Sequence, residues 1–194
     1  MTRSLPTFAA LPVLCVLAAP AAAESVPFLC PVPGTVIETS TGGRLAFAVG
    51  SGLECAYTLS ERSKRRRFAH VTGTDGTIYK QAADKLAALW PLTPGREVSL
   101  VTYRGKNSWT HTYRVSGPET VDTAAGNFVA FRIEHSHSGN QESYRSSEVG
   151  VRYAAIDTIW YAPEVGYTVK FQHLHISGTP SDSRNWEVVR VARP

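Results

Sequence analysis

Two H-x-H pairs, His135 and His137 in "NFVAFRIEHSH" and His173 and His175 in "YTVKFQHLH", are the residues of this chain whose type and spacing best suit chemistry. Residues two apart on a strand share a face. Each pair therefore prolongs an apolar row, Val129, Phe131 and Ile133 in the first case and Val169 and Phe171 in the second. In "SWTHTYRV" the residues Trp109, His111, Tyr113 and Val115 also share one side, which places five of the six histidines on inward faces. Imidazole nitrogens are ligands for zinc or copper.

The position of these residues along their strands follows from the turns. If the strand ending at Ala162 lies between the two H-x-H strands, both pairs sit at the end of the sheet remote from the "APEVG" turn. His135, His137, His173 and His175 then gather at one rim. Strands two apart are separated by roughly 10 Å, a span that imidazoles bridge from a concave surface around an ion with Zn–N bonds of about 2.0 Å. The alternative is a rim of hydrogen-bonded, half-exposed histidines that simply end an apolar row, because strand alternation alone produces H-x-H.

Other catalytic patterns are missing. The sequence holds no G-x-S-x-G elbow, Walker loop, dinucleotide glycine fingerprint or H-E-x-x-H, the signatures of common hydrolases, nucleotide binders and metalloproteases. Glu134 beside His135 does not form an acid–base pair, since neighbours on a strand point to opposite faces. Any enzyme activity is left open, with a non-enzymatic role favoured.

Two surfaces are further candidates. "ERSKRRRF" concentrates Arg62, Lys64, Arg65, Arg66 and Arg67; such a run meets an anionic envelope surface, or else keeps a sheet edge from aggregating. The aromatic residues Trp109, Tyr113, Phe131, Trp160, Tyr161 and Phe171 line a lipid-sized pocket, or else fill the core of a sheet. A net charge of +4 over 194 residues gives no reason to expect nucleic acid as a partner.

The elements that must position these residues are mostly strands. Gly and Pro punctuate short β-prone runs, the pattern of antiparallel structure. "TVIETSTGGRLAFAV" reads as a hairpin about a two-residue Gly42-Gly43 turn, and "LECAYTLS" as the next strand. From Arg96 onward "REVSLVTYRG", "SWTHTYRVSG", "NFVAFRIEHSH", "DTIWYA", "YTVKFQHLH" and "NWEVVRVA" read as a meander. Between the two groups, Tyr79, Ala82, Ala83, Leu86, Leu89 and Trp90 recur at three and four residues. That spacing predicts one amphipathic helix over Ile78–Trp90, capped by Thr77 and closed by Pro91.

The N-terminus carries Arg3, a short apolar stretch broken by Pro6 and Pro12, and small residues before Ala23. This is the grammar of a secretory signal peptide spanning residues 1–23, leaving a single β-rich domain over residues 24–194 in the periplasm. The apolar stretch falls short of the ~20 residues a spanning helix needs, and no later run supplies one, so the exported form is expected to lack a transmembrane segment. Cys30 and Cys55 are left as an even pair in an exported chain, which predicts a disulfide. Neither belongs to a C-x-x-C pair.

"PLTPGREVSLVTYRG", "YRVSGPETVDTAAGNFVAFRIE" and "WYAPEVGYTVKF" carry a resemblance. A strand ending at an A-G-x-F turn and followed by W-Y-x-P-x-x-G is similar to a group of uncharacterised bacterial envelope proteins, which in turn resemble the LolA/LolB-type lipoprotein carriers. The resemblance covers about residues 88–175. It implies a curved antiparallel sheet, or half-barrel, around a helix-plugged hydrophobic cavity, with a lipid or lipoprotein as partner, and it brings no catalytic residue. The chain departs from lipid-anchored relatives, since Leu14 rather than a small residue precedes Cys15.

The expectation is therefore a mostly β, curved antiparallel sheet with one packed helix and no obligatory cofactor. It would bind an apolar or amphiphilic ligand without catalysis. The rivals are a zinc- or copper-binding protein that uses the histidine rim, and a structural adaptor.

Overall fold

The computed structural model describes residues 25–60, 63–73, 76–105, 107–141, 151–178 and 185–194. The predicted export segment and Arg62 lie outside them. The described residues form β1 (Val36–Thr39), β2 (Arg44–Phe47), β3 (Glu54–Leu59), β4 (Ser63–Phe68), β5 (Thr72–Gly73) and α1 (Thr77–Ala87). They continue with β6 (Glu97–Arg104), β7 (Asn107–Thr123), β8 (Gly126–Gln141), β9 (Val151–Ala162), β10 (Tyr167–Ser177) and β11 (Trp186–Ala192). No helix among them is long and apolar enough to cross a membrane.

All eleven strands belong to one antiparallel sheet in the order β5-β4-β3-β2-β1-β11-β10-β9-β8-β7-β6. Two meanders, β1 to β5 and β6 to β10, are thus joined where β11 returns to pair with β1 on one side and β10 on the other. The edges β5 and β6 are not paired to each other. A flat sheet of this size would hold its edges roughly 48 Å apart, whereas a helix is about 10 Å across. Since α1 packs against both β5 and β6, the sheet must bend around it, which is the curved, open architecture expected from the sequence.

The helix begins one residue earlier than its periodicity suggests and ends three residues sooner. Gly76 is the N-cap and makes no side-chain cap bond, so Thr77 is the first helical residue and not the cap. Leu89 and Trp90 follow the helix in a turn yet stay buried with Leu86. On the exposed side, the Gln81 amide grips the edge strand: Nε2 donates to Tyr103 O at 2.7 Å and Oε1 accepts from Tyr103 N at 2.6 Å. The side chain thereby imitates one rung of a missing neighbour strand.

The β1–β2 connection also differs from the expected two-residue turn. Ser40–Gly43 separate the strands, held by Gly42 N donating to Thr39 O and Gly43 N donating to Thr39 Oγ1. Of the two glycines only Gly42 has a positive φ. The basic run is the strand β4, paired with β3 along its length and with β5 over two residues.

Two cores form on the sheet. Trp160 and Tyr161, adjacent on β9, point to opposite faces and belong to different ones. The first gathers Ile37, Phe47, Phe128, Ala130, Trp160, Tyr167, Val169 and Val188. The second gathers Leu86, Leu89, Trp90, Leu100, Tyr113, Phe131, Ile133, Ile159 and Tyr161 beneath the helix. β-Bulges adjust the alternation: Ser116 and Gly117 together oppose Arg132, and Val169 is the extra residue of β10 against β9. Val169 consequently faces the first core, opposite to Phe171, contrary to simple alternation. Val129 shares parity with Phe131 but extends beyond the second core and is 59 % exposed.

The N-terminal arm is fixed to this sheet by the Cys30–Cys55 disulfide, with Cα atoms 5.4 Å apart. The same arm explains Gly166. That residue has φ +70°, and a Cβ there would lie 2.8 Å from Cys30 O, so the "APEVG" turn can close against the arm only with glycine.

Candidate metal centre

The register of β7 to β10 turns the histidine face into a grid. Tyr113, His135, Asp157 and His173 are directly paired across the four strands, and His111, His137, Ala155 and His175 form the next row. Paired residues have Cβ atoms about 4.5–5.5 Å apart, close enough for ring nitrogens and a carboxylate to meet. β9 does lie between the two H-x-H strands, and both pairs sit at the end remote from the "APEVG" turn.

Asp157 is the hub. His173 Nδ1 donates to Oδ1 at 2.6 Å. On its other side, Oδ2 lies 3.4 Å from His135 Nδ1 and 3.3 Å from His137 Nε2. The His137 contact lacks hydrogen-bond geometry, and that buried nitrogen has no hydrogen-bond partner among the described residues. One ligand atom from each of His135, His137 and Asp157 lies within 4.8 Å of the others.

Behind His135 runs a second line of contacts. His135 Nε2 and His111 Nδ1 are 3.0 Å apart, and His111 Nε2 is 3.0 Å from Thr102 Oγ1. When His135 Nε2–H donates to His111, and His111 Nε2–H donates to Thr102, the Nδ1 lone pair of His135 is left facing Asp157. The Tyr113 ring covers His135 face to face, with centroids 4.2 Å apart and planes within 3°. His111, His135 and His137 are themselves stacked.

The electrostatics favour neutral imidazoles at His111 and His135 and an ionised carboxyl at Asp157. Burial lowers the His111 value to about 3, helped by His135 and His137. Burial also lowers His135, against the opposing pull of Asp157. Burial pushes the Asp157 carboxyl up, but the surrounding imidazoles of His135, His137 and His173 outweigh it and hold the group well below the usual carboxylate range. Burial, with Asp157 nearby, raises the Tyr113 hydroxyl.

Of the four histidines expected as ligands, His135 and His137 converge, and His173 touches the hub carboxylate from the far side. His175 lies one row away, where Nε2 is 3.0 Å from Gly178 O. Asp157 escaped the sequence reading, although its parity with Ile159 and Tyr161 in "DTIWYA" marks it as a carboxylate on an apolar face. The sixth histidine, His70, is fully buried among Phe28, Trp90, Tyr161 and Tyr167, outside the cluster.

The structure brings four of the six aromatic residues together at the second core, Tyr113, Phe131 and Tyr161 with Phe171 packed against them, and sets Trp109 and Trp160 apart. Tyr113 and Phe131 lie in the second core and Trp160 in the first, its Nε1 donating to Glu119 Oε1 at 2.5 Å. Trp109 packs beside Tyr153, and Phe171 stacks on Trp186. Along the basic strand, Lys64 and Arg66 are paired with Thr58 and Ala56, whereas Arg65 and Arg67 are paired with Tyr57 and Cys55 on the face of the first core. Arg67 Nε donates to His70 O.

No protein-family model matches the chain, and no curated protein matches its sequence. Among solved structures, it is similar to a candidate lipoprotein from Parabacteroides distasonis, at 13 % identity over 87 % of this chain and 100 % of that one, with a TM-score of 0.44. The hypothetical lipoprotein YmcC from Escherichia coli shares 10 % identity over 90 % of this chain and 91 % of its own, with a TM-score of 0.43. A candidate exported protein with a YmcC-like fold from Bacteroides fragilis shares 11 % identity over 87 % and 100 %, with a TM-score of 0.40. Likeness at this level carries no argument about function, which rests on the residues themselves.

Proposed function

We propose that this protein binds a divalent transition-metal ion, zinc or copper, through His135 Nδ1, His137 Nε2 and Asp157 Oδ2, and that it does so as an exported protein of the periplasm. One observation carries the reading: the two nitrogens lie 3.4 and 3.3 Å from the same carboxylate oxygen. Donors bonded to one zinc ion at 2.0–2.1 Å and at tetrahedral angles are roughly 3.3–3.4 Å apart. These distances are too long for good N–H···O bonds and suit an ion between the groups.

The surroundings support the same reading. His111 acts behind His135 as an outer-shell partner that sets which nitrogen carries the proton, and His173 orients the carboxylate through its second oxygen. Two neutral imidazoles and one carboxylate form a donor set matched to zinc or copper(II) rather than to calcium or magnesium. Three protein ligands leave a fourth position for water or a substrate atom, as catalytic zinc sites do. The N-terminal export grammar and the Cys30–Cys55 bond support an oxidising compartment.

The test is titration of the untagged, chelator-treated protein with zinc and with copper, followed calorimetrically and by elemental analysis. One ion per chain is expected, lost in the His135→Ala and Asp157→Asn variants. Equal metal content in the wild type and a His135→Ala/His173→Ala double variant overturns the proposal.

A further inference from the structure

A second constellation lies at the other wing of the sheet and turns on one member of the basic run. Lys64, Arg65 and Arg66 are exposed, whereas Arg67 is half-buried. Its Nε donates to His70 O at 2.8 Å. Ala69 and His70, with φ of +49° and +60°, fold the chain back after β4 and so bring that carbonyl within reach. The guanidinium is thereby held in one plane against the backbone.

Arg67 borders a cleft of about 430 Å³ together with Leu45, Tyr57, Leu59, Tyr167 and Trp186. Register sets Arg67, Tyr57, Leu59 and Leu45 on one face: Arg67 is paired with Cys55, which shares its parity with Tyr57 and Leu59, and Leu59 is paired with Leu45. Tyr167 and Trp186 come from β10 and β11, in the other half of the sheet. In a flat sheet β2 and β10, three places apart, would lie roughly 14 Å from one another. Yet the Phe47 and Tyr167 ring centroids are 4.9 Å apart. The sheet therefore curls here, and both of its halves wall one cleft. Among the described residues that border it, three aromatic rings and two leucines accompany one cation and no carboxylate.

We propose that this cleft binds a small aromatic carboxylate, its ring among Tyr57, Tyr167 and Trp186 and its carboxylate on the Nη groups of Arg67. The volume falls in the range of small-molecule sites, roughly 300–1,000 Å³. A planar guanidinium matches a carboxylate with two parallel N–H···O bonds, and its fixation by His70 O lowers the cost of ordering it on binding. Offset or edge-on ring contacts add to the burial of an aromatic body, an advantage that an alkyl chain lacks. Glu61 and Asp182, near Ser60 and Trp186 in sequence, lie outside the described residues; selectivity for charge is therefore the quantity to measure. The site is independent of the metal reading, as none of its residues belongs to the histidine grid.

The experiment is calorimetric titration of the chain beginning at Glu24 with 2-naphthoate, with its neutral counterpart 2-naphthalenemethanol, and with octanoate. One naphthoate per chain is expected, bound at least about tenfold more tightly than the alcohol and about threefold or more above octanoate. Arg67→Gln should remove the preference for the acid, and Arg67→Lys, which keeps the charge but not the fork, should recover part of it. Thr41 lies in the exposed β1–β2 turn and borders the cleft. Thr41→Trp should fill the space and weaken naphthoate binding at least about tenfold. In the wild type alone, absence of saturable naphthoate binding, equal binding of the alcohol, or octanoate binding as tight as naphthoate each overturns the proposal. Undiminished binding by the Thr41→Trp variant places the naphthoate elsewhere and overturns it equally, as does an acid preference that survives in a folded Arg67→Gln variant.

Discussion

His135 and Asp157 are direct partners across β8 and β9, yet Nδ1 of one stands 3.4 Å from Oδ2 of the other, beyond good hydrogen-bond length. The same carboxylate takes a 2.6 Å bond from His173 on its opposite side. Asp157 is therefore tightly bonded to one histidine strand and held open toward the other. That asymmetry separates an orienting contact from the proposed coordinating one, and the consequences can be measured.

Asp157→Asn removes the charge with little change of shape. Zinc affinity is expected to fall at least about 100-fold, because the only anionic donor of the proposed site is lost. Stability should fall by about 1–3 kcal/mol as His173 exchanges a charged acceptor for a neutral one. Chelator competition reads the first effect and urea unfolding the second; unchanged zinc affinity removes Asp157 from the site.

His111→Asn tests the outer shell. Its Nδ1 reaches His135 Nε2 and no proposed ligand atom. Zinc affinity should weaken about 10- to 100-fold with stoichiometry unchanged. A loss of stoichiometry would make His111 a ligand, and an unchanged affinity would make it a bystander.

His70 gives a pH dependence separate from the grid. Burial lowers its value to about 3, the bond to Leu29 O opposes that shift, and Arg67 adds to it. The unfolded chain takes up this proton near pH 6.5, earlier than the folded one. The stabilisation from holding His70 neutral is complete above about pH 6.5 and falls by about 1.4 kcal/mol per pH unit as pH drops toward 3. Urea unfolding at about pH 7.5 and about pH 5 should show His70→Phe losing about 2 kcal/mol less between the two conditions than the wild type. Equal losses would mean that His70 is charged in the fold.

Gly139 is the cross-strand partner of Trp109, and a Cβ there would lie 2.6 Å from Trp109 Cδ2 and 2.8 Å from Ser108 O. Gly139→Ala should displace the indole from Tyr153 and cost about 1–3 kcal/mol. Altered tryptophan emission with a lowered unfolding midpoint is the expected result. An unchanged spectrum and midpoint would show that the strand yields freely at that point.

The strands, the helix, the disulfide and the alternation that turns five histidines inward were legible in the sequence because each leaves a local signal: a period, a turn residue or a paired cysteine. Asp157 was not singled out, because one carboxylate in a strand is unremarkable until register sets it between His135 and His173. Bulges hid the rest. The extra residue at Val169 sends that side chain to the opposite core from Phe171, and no local preference announces it. Val129 has the right parity but no neighbour to cover it. The dispersal of Trp109 and Trp160 likewise depends on two cores lying on opposite faces of one sheet.

The clasp of Gln81 on Tyr103 bears on the fate of the chain in a crowded compartment. An open sheet offers its outermost backbone as a template for other chains. At β5 that row is only two residues long, but β6 runs for eight. A chain whose helix frays would present the longer row to its neighbours as a template for strand pairing. The helix thus occupies part of an edge that other chains could otherwise extend, a service to solubility that its contribution to the core does not reveal.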